Sequence, residues 1–159
     1  MGFIEVIKKG AITNDTIMNS DIFATLNHDK DHILARSRYG EGSLALELRD
    51  DGLYYEFEAP NTIYGDELIE HIKRGEITTS SFAFSLPKDG SGDKWYRTND
   101  GITRRDITMI ERLYDVSPVF EPAYLTTSCS QRALDMVSMS DEISKKMDSL
   151  MSDIEQYKI

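Results

Sequence analysis

A chain of 159 residues, 40% hydrophobic and 29% charged, has the size and balance of one folded domain rather than of a disordered segment. Its net charge of −10 repels phosphate backbones and disfavours nucleic-acid binding, and no apolar run nears the ~20 residues of a membrane span. The single cysteine, Cys129, excludes a disulfide framework within the chain and points to a reducing, cytosolic setting.

Residues 1–9 lack a continuous apolar stretch, so no secretory leader is expected. Strand signals begin after Leu26. Residues 43–49 alternate, with Leu44, Leu46 and Leu48 on one face. Asp50-Asp51-Gly52 reads as a tight turn, and Leu53, Tyr55 and Phe57 alternate on the return, which predicts a hairpin. Pro60 and Asn61 break the pattern, and a helix is expected over 65–74. Leu68, Ile69 and Ile72 face inward there, with acids in the first turn, bases in the last and Gly75 as its C-cap.

A strand over 76–86 has two unlike faces, Phe82 and Phe84 on one and Ser81, Ala83 and Ser85 on the other. Residues 88–93 form a Gly-, Ser- and Asp-rich loop, and another strand is expected over 103–113. Pro118 and Pro122 punctuate an extended stretch after it. From Ser140 onward, Ile143, Met147, Leu150, Met151 and Ile154 form one apolar stripe at helical spacing. The fold class expected is α+β: a mainly antiparallel β-barrel flanked by helices, closed so that short strands hide their edges, with a C-terminal amphipathic helix. Residues 1–134 make the body and 135–159 the helix. That helix has to bury its stripe on the body or on a partner chain, and the polar stretch 138–142 before it favours self-association or docking to a partner.

Three segments can carry chemistry. Asn27-His28-Asp29-Lys30-Asp31-His32 gathers two imidazoles and two carboxylates, and imidazole both accepts and returns a proton near neutral pH. A polar surface turn is the plain alternative; a zinc site through His28 and His32 is another, but no further Cys or His pair completes it. Thr78-Thr79-Ser80-Ser81-Phe82-Ala83-Phe84 offers a hydroxyl on a small face, where a nucleophile needs exposure beside a base. It reads equally as a hydroxyl-rich edge strand. Asp115, at the end of an apolar strand in Leu113-Tyr114-Asp115-Val116-Ser117-Pro118-Val119, can orient an imidazole or cap a turn before Pro118.

The order of these segments resembles the prohead (capsid-maturation) serine proteases of tailed phages. Asn27-His28-Asp29 is followed by Ile33-Leu34-Ala35-Arg36, a hairpin, and Tyr64-Gly65-Asp66-Glu67-Leu68. Gly75, Ile77, Ser81, Phe82 and Phe84 come next, then Leu113, Asp115, Val116, Ser117, Pro118 and Val119. The similarity covers residues 2–127.

The resemblance implies a fold like the herpesvirus assembly proteases, with Ser81 as nucleophile, His28 as base and Asp115 as third member. It matches Arg105 to an arginine common before the last strand and suggests an oxyanion or substrate role there. Thr79 and Ser80 stand where the family commonly has glycine and methionine. Members also carry a strand-forming segment upstream of the element that here starts at Gly2, which implies a chain shortened at that end. The implied substrates are the scaffold or delta domain of the capsid protein and the protease itself, inside the assembling prohead in the host cytoplasm. No cofactor or metal is called for. The rival readings are a catalytically inactive scaffold or assembly factor with a protease-like body, and a different serine hydrolase such as an esterase.

Overall fold

The computed structural model describes residues 3–123, and these are mostly β-sheet. The order is β1 (Ile4–Ile7), α1 (Asn14–Met18), β2 (Asp21–Leu26), β3 (Asp29–Arg38), β4 (Glu41–Gly42), β5 (Ala45–Arg49), β6 (Gly52–Glu56), α2 (Ile63–Lys73), β7 (Thr79–Ser85), β8 (Asp93–Arg97), β9 (Thr103–Ile107) and β10 (Arg112–Val119). The C-terminal helix, its boundary at 134/135 and the association expected through it lie outside the described residues.

The expected barrel is not formed. Among the described residues the strands make three separate sheets, ordered β1-β9-β8, β4-β3-β2-β10-β7 and β5-β6. The five-stranded sheet ends on β4 and β7, which do not pair with each other, so it stays open. The pairing among the described residues is mainly antiparallel, as expected, with β1 parallel to β9 and β2 parallel to β10.

The predicted hairpin forms as β5 and β6, with Leu48 opposite Leu53 and Arg49 opposite Gly52 around the two residues Asp50-Asp51. Alternation sends Leu46, Leu48, Leu53 and Tyr55 onto the core. The helix starts slightly earlier than expected, at Ile63, because Thr62 caps it by accepting a hydrogen bond from the Gly65 N–H at 3.2 Å. Leu68 is buried and Ile72 packs beside it, so α2 and the hairpin join the core cluster that contains Ile22, Ala24 and Val116 of the large sheet. Gly75, at φ 72°, turns the chain out of the helix.

The single strand expected over 103–113 is two strands in different sheets. β9 stops at Ile107, and Arg112 begins β10, which runs straight through Pro118. Helix α1 gave no periodic signal because it has five residues. It is held by a capping box between Thr13 and Thr16 and by the Ser20 hydroxyl, which donates to the Thr16 carbonyl at 2.5 Å and accepts from the Leu113 N–H at 3.1 Å.

Two features of α2 are testable. A Cβ at Gly65 would fall 1.9 Å from the Pro60 carbonyl oxygen, a main-chain atom. Gly65→Ala should cost about 1–3 kcal/mol and lower Tm by several degrees in calorimetry. Near the other end, the Glu76 carboxylate, hydrogen-bonded at 2.6 Å to Nδ1 of His71, raises the imidazole's pKa, with Glu67 adding to the effect. Because the folded value lies above the ordinary ~6.5, this stabilisation is complete below that pH and fades as pH rises through the raised value. His71→Gln should therefore lower Tm at pH 6 and leave it nearly unchanged at pH 9.

Candidate active site

β2 and β3 are joined by two residues only. Leu26 pairs with Asp29, and Asn27 and His28 between them have φ 54° and 62°. Both central residues are left-handed, as in the tightest hairpin turn, a conformation that Asn and His tolerate better than most side chains. The polar surface turn and the imidazole of His28 are thus one feature. The turn is docked on β10, because the Asn27 N–H donates to the Pro118 carbonyl at 2.9 Å.

That docking sets His28 against Asp115. Nδ1 lies 2.8 Å from Oδ1 and 3.0 Å from Oδ2, a nearly symmetric fork. An ionised carboxylate only accepts, so the contact puts the ring proton on Nδ1 and leaves Nε2 basic when the imidazole is neutral. The His28 side chain is 38% exposed and that of Asp115 only 9%. The neighbouring acid of the motif is engaged elsewhere: Asp29 accepts from the Asp31 N–H at 2.9 Å and lies 3.3 Å from Nδ1 of His32. The His32 ring lies against that of Tyr64, tilted by 41°, and among the described residues no group of His, Cys, Asp and Glu is arranged to hold a metal.

Asp115 reaches this face through a bulge. Leu113 pairs with Phe84 and Asp115 with Ala83, so Tyr114 is an extra residue in β10. In a regular strand Leu113 and Asp115 would share a face; the bulge lets Leu113 enter the core while Asp115 faces the other way. Beyond it the register is regular, with Ser117 opposite Ser81 and Pro118 opposite Ser80.

This register separates the two adjacent serines. Ser81 shares the face of Asp115 and Ser117, one strand over. Ser80 lies on the opposite face, where its Oγ is 2.7 Å from the Tyr55 hydroxyl of the covering hairpin. Ser81 is 4% exposed as a residue, and among the described residues no hydrogen bond joins it to His28. The structure therefore couples His28 to Asp115 directly and relates Ser81 to them by sheet register.

Arg105 is elsewhere. It lies on β9 of the three-stranded sheet, donating from Nε to Asp93 at 2.6 Å and from Nη1 to Glu5 at 2.7 Å, over the Trp95 ring. Asp93 first, then Glu5, raises its pKa and holds its charge. This arrangement pins three strands together and does not bring the guanidinium to the His28–Asp115 pair. Two residues that no sequence signal singled out for chemistry do join the site: Ser117, whose hydroxyl donates to Asp115 Oδ1 at 2.8 Å, and Thr25, whose hydroxyl lies 3.0 Å from Ser117 Oγ.

A family model described as caudovirus prohead serine protease matches residues 1–142. No curated protein and no solved structure matches the chain.

The left-handed turn makes a prediction about Asn27. Asn27→Ala should destabilise by about 1–2 kcal/mol, since alanine pays the full left-handed penalty, and Asn27→Gly should cost less. Equal Tm values for the two variants would show that the turn relaxes to another conformation.

Proposed function

Because the chain belongs to the caudovirus prohead serine protease family, a family of capsid-maturation proteases, we propose that it is a serine endopeptidase in which Ser81 is the nucleophile, His28 the general base and Asp115 the orienting acid. The observation that carries this reading is the His28–Asp115 fork, on the sheet face that Ser81 shares and Ser80 does not. We propose further that the substrates are the scaffold or delta domain of the capsid protein and the chain itself, cut inside the assembling prohead.

In this mechanism His28 Nε2 takes the Ser81 proton as Oγ attacks the scissile carbonyl. Backbone amides stabilise the oxyanion, and His28 then protonates the leaving amine, giving an acyl-enzyme that water hydrolyses by the same route in reverse. Asp115 fixes the tautomer and stabilises the imidazolium. One requirement follows: the bond between Ser81 and His28 has to close as substrate enters, a tightening common between free and substrate-bound sites.

Ser81→Ala should reduce autoprocessing and capsid-protein cleavage by on the order of 10⁴–10⁶ while leaving the circular dichroism spectrum unchanged. Ser80→Ala should act mainly on stability, by about 1 kcal/mol, through loss of the Tyr55 bond. Activity that survives in Ser81→Ala but not in Ser80→Ala would move the nucleophile by one residue. Absence of fluorophosphonate labelling in the wild-type chain would favour an inactive assembly factor, and ester turnover without peptide cleavage a different hydrolase.

A further inference from the structure

Asp115 Oδ1 accepts two hydrogen bonds at the same length, 2.8 Å, one from His28 Nδ1 and one from Ser117 Oγ. A hydroxyl has one proton, and Ser117 spends it on the carboxylate. Its oxygen is then left as an acceptor, and Thr25 supplies two donors to it, the backbone N–H at 3.0 Å and the side-chain hydroxyl at 3.0 Å. Every direction is thereby assigned: Thr25 to Ser117, Ser117 to Asp115, and His28 to Asp115 from the other side.

Thr25 and Ser117 are both 0% exposed, and Asp115 is 6% exposed. Two hydroxyls fully withdrawn from water are costly unless bonded, and a sheet interior has no packing need for them. Ser117 has one structural duty, since the parallel pairing of β2 and β10 is confined to Phe23 and Asp115 and its side chain serves the Thr25 N–H in place of a carbonyl. That duty explains neither the Thr25 hydroxyl nor the bond to Asp115. A carboxylate on Cβ rotates in a broad, roughly two-fold well, and a donor held on one oxygen is what fixes its plane.

We propose that Ser117, backed by the Thr25 hydroxyl, is a positioning residue for Asp115: it locks the carboxylate plane so that both oxygens face His28 Nδ1, and so sets the imidazole. This rests on the reading of Asp115 as the orienting acid.

The test uses the full chain, with the low-field Nδ1 proton resonance of His28 and the rate of Ser81 labelling by a fluorophosphonate as readouts. Ser117→Ala should shift or broaden that resonance and slow labelling about 10- to 100-fold with the fold intact, and Ser117→Thr, which restores the hydroxyl, should recover both. Thr25→Val keeps the backbone N–H and removes only the hydroxyl; it should move the resonance the same way by a smaller amount, and it carries the test if Ser117→Ala fails to fold. Asp115→Asn separates the two levels. If it leaves labelling unchanged, the orienting-acid reading itself fails. If it slows labelling while Ser117→Ala and Thr25→Val leave resonance and rate as in wild type, the relay alone is overturned.

Discussion

A carboxylate withdrawn from water must find donors for its charge or give the charge up. Asp115, on the strand between β2 and β7, finds them on two sides, in His28 and Ser117. The surroundings of β10 follow from that demand. The β2–β3 turn leans onto the strand through the Asn27–Pro118 hydrogen bond, which delivers the imidazole. The bulge at Tyr114 turns Asp115 away from the face that Leu113 and Val116 fill with apolar packing. Without the extra residue, the strand would have to bury Asp115 among leucine and isoleucine or withdraw Leu113 from the core.

The two faces of the large sheet therefore divide the work. Helix α2 and the β5–β6 hairpin lie over one face, where Phe82, Phe84, Val116 and Ile22 meet Leu68, Leu46 and Tyr55. Their packing is mainly hydrophobic burial, with the bonded Tyr55–Ser80 pair and the buried Ser37 opposite Ile22 as polar groups within it. The other face carries Thr25, Asp115, Ser117 and Ser81, small or polar side chains that supply little hydrophobic stabilisation. A face of that composition persists because its partner face holds the strands in place.

What could be read from the sequence was what has a local period. The alternation of Leu44, Leu46 and Leu48 with Leu53, Tyr55 and Phe57 gave the hairpin, and acids, bases and Gly75 bracketed α2 nearly to the residue. The two faces of β7 were also visible, whereas Ser81 was set apart from Ser80 by its motif position before Phe82-Ala83-Phe84. What has no period was lost. The passage from β9 to β10 changes sheet without changing composition, so one strand was expected where there are two, and Pro118 concealed that its segment is central. The bulge at Tyr114 appears only once β10 is paired with β7, and the link from Thr25 to Ser117 joins residues 92 positions apart, relations no spacing rule reports. Arg105 was placed by motif order alone, and its acidic partners Glu5 and Asp93 come from strands at the two edges of another sheet. The barrel was inferred from the cost of open edges, yet edge strands as short as β4, with two residues, make that cost small.

The choice between adjacent serines shows where the site gets its accuracy. A strand displaced by one residue reverses every side chain, so a slip of β7 along β10 would bring Ser80 to the face of Asp115 and carry Ser81 to Tyr55. Nothing at the hydroxyls themselves prevents this, since the two serines are chemically equal. The register is held from outside. Ile77, 1% exposed just before β7, anchors the strand's entry, and the Glu76 N–H donates to the His71 carbonyl at 2.9 Å, which fixes the chain as it leaves α2. The Thr79 hydroxyl donates to the Val119 carbonyl at 3.0 Å at the first rung of the ladder. Along the strand, Phe82 and Phe84 pack on the core cluster, and a slip would turn both rings out of it, at about 1.5–3 kcal/mol for each ring lost from burial. The identity of the proposed nucleophile is thus decided by apolar packing on the face it does not occupy.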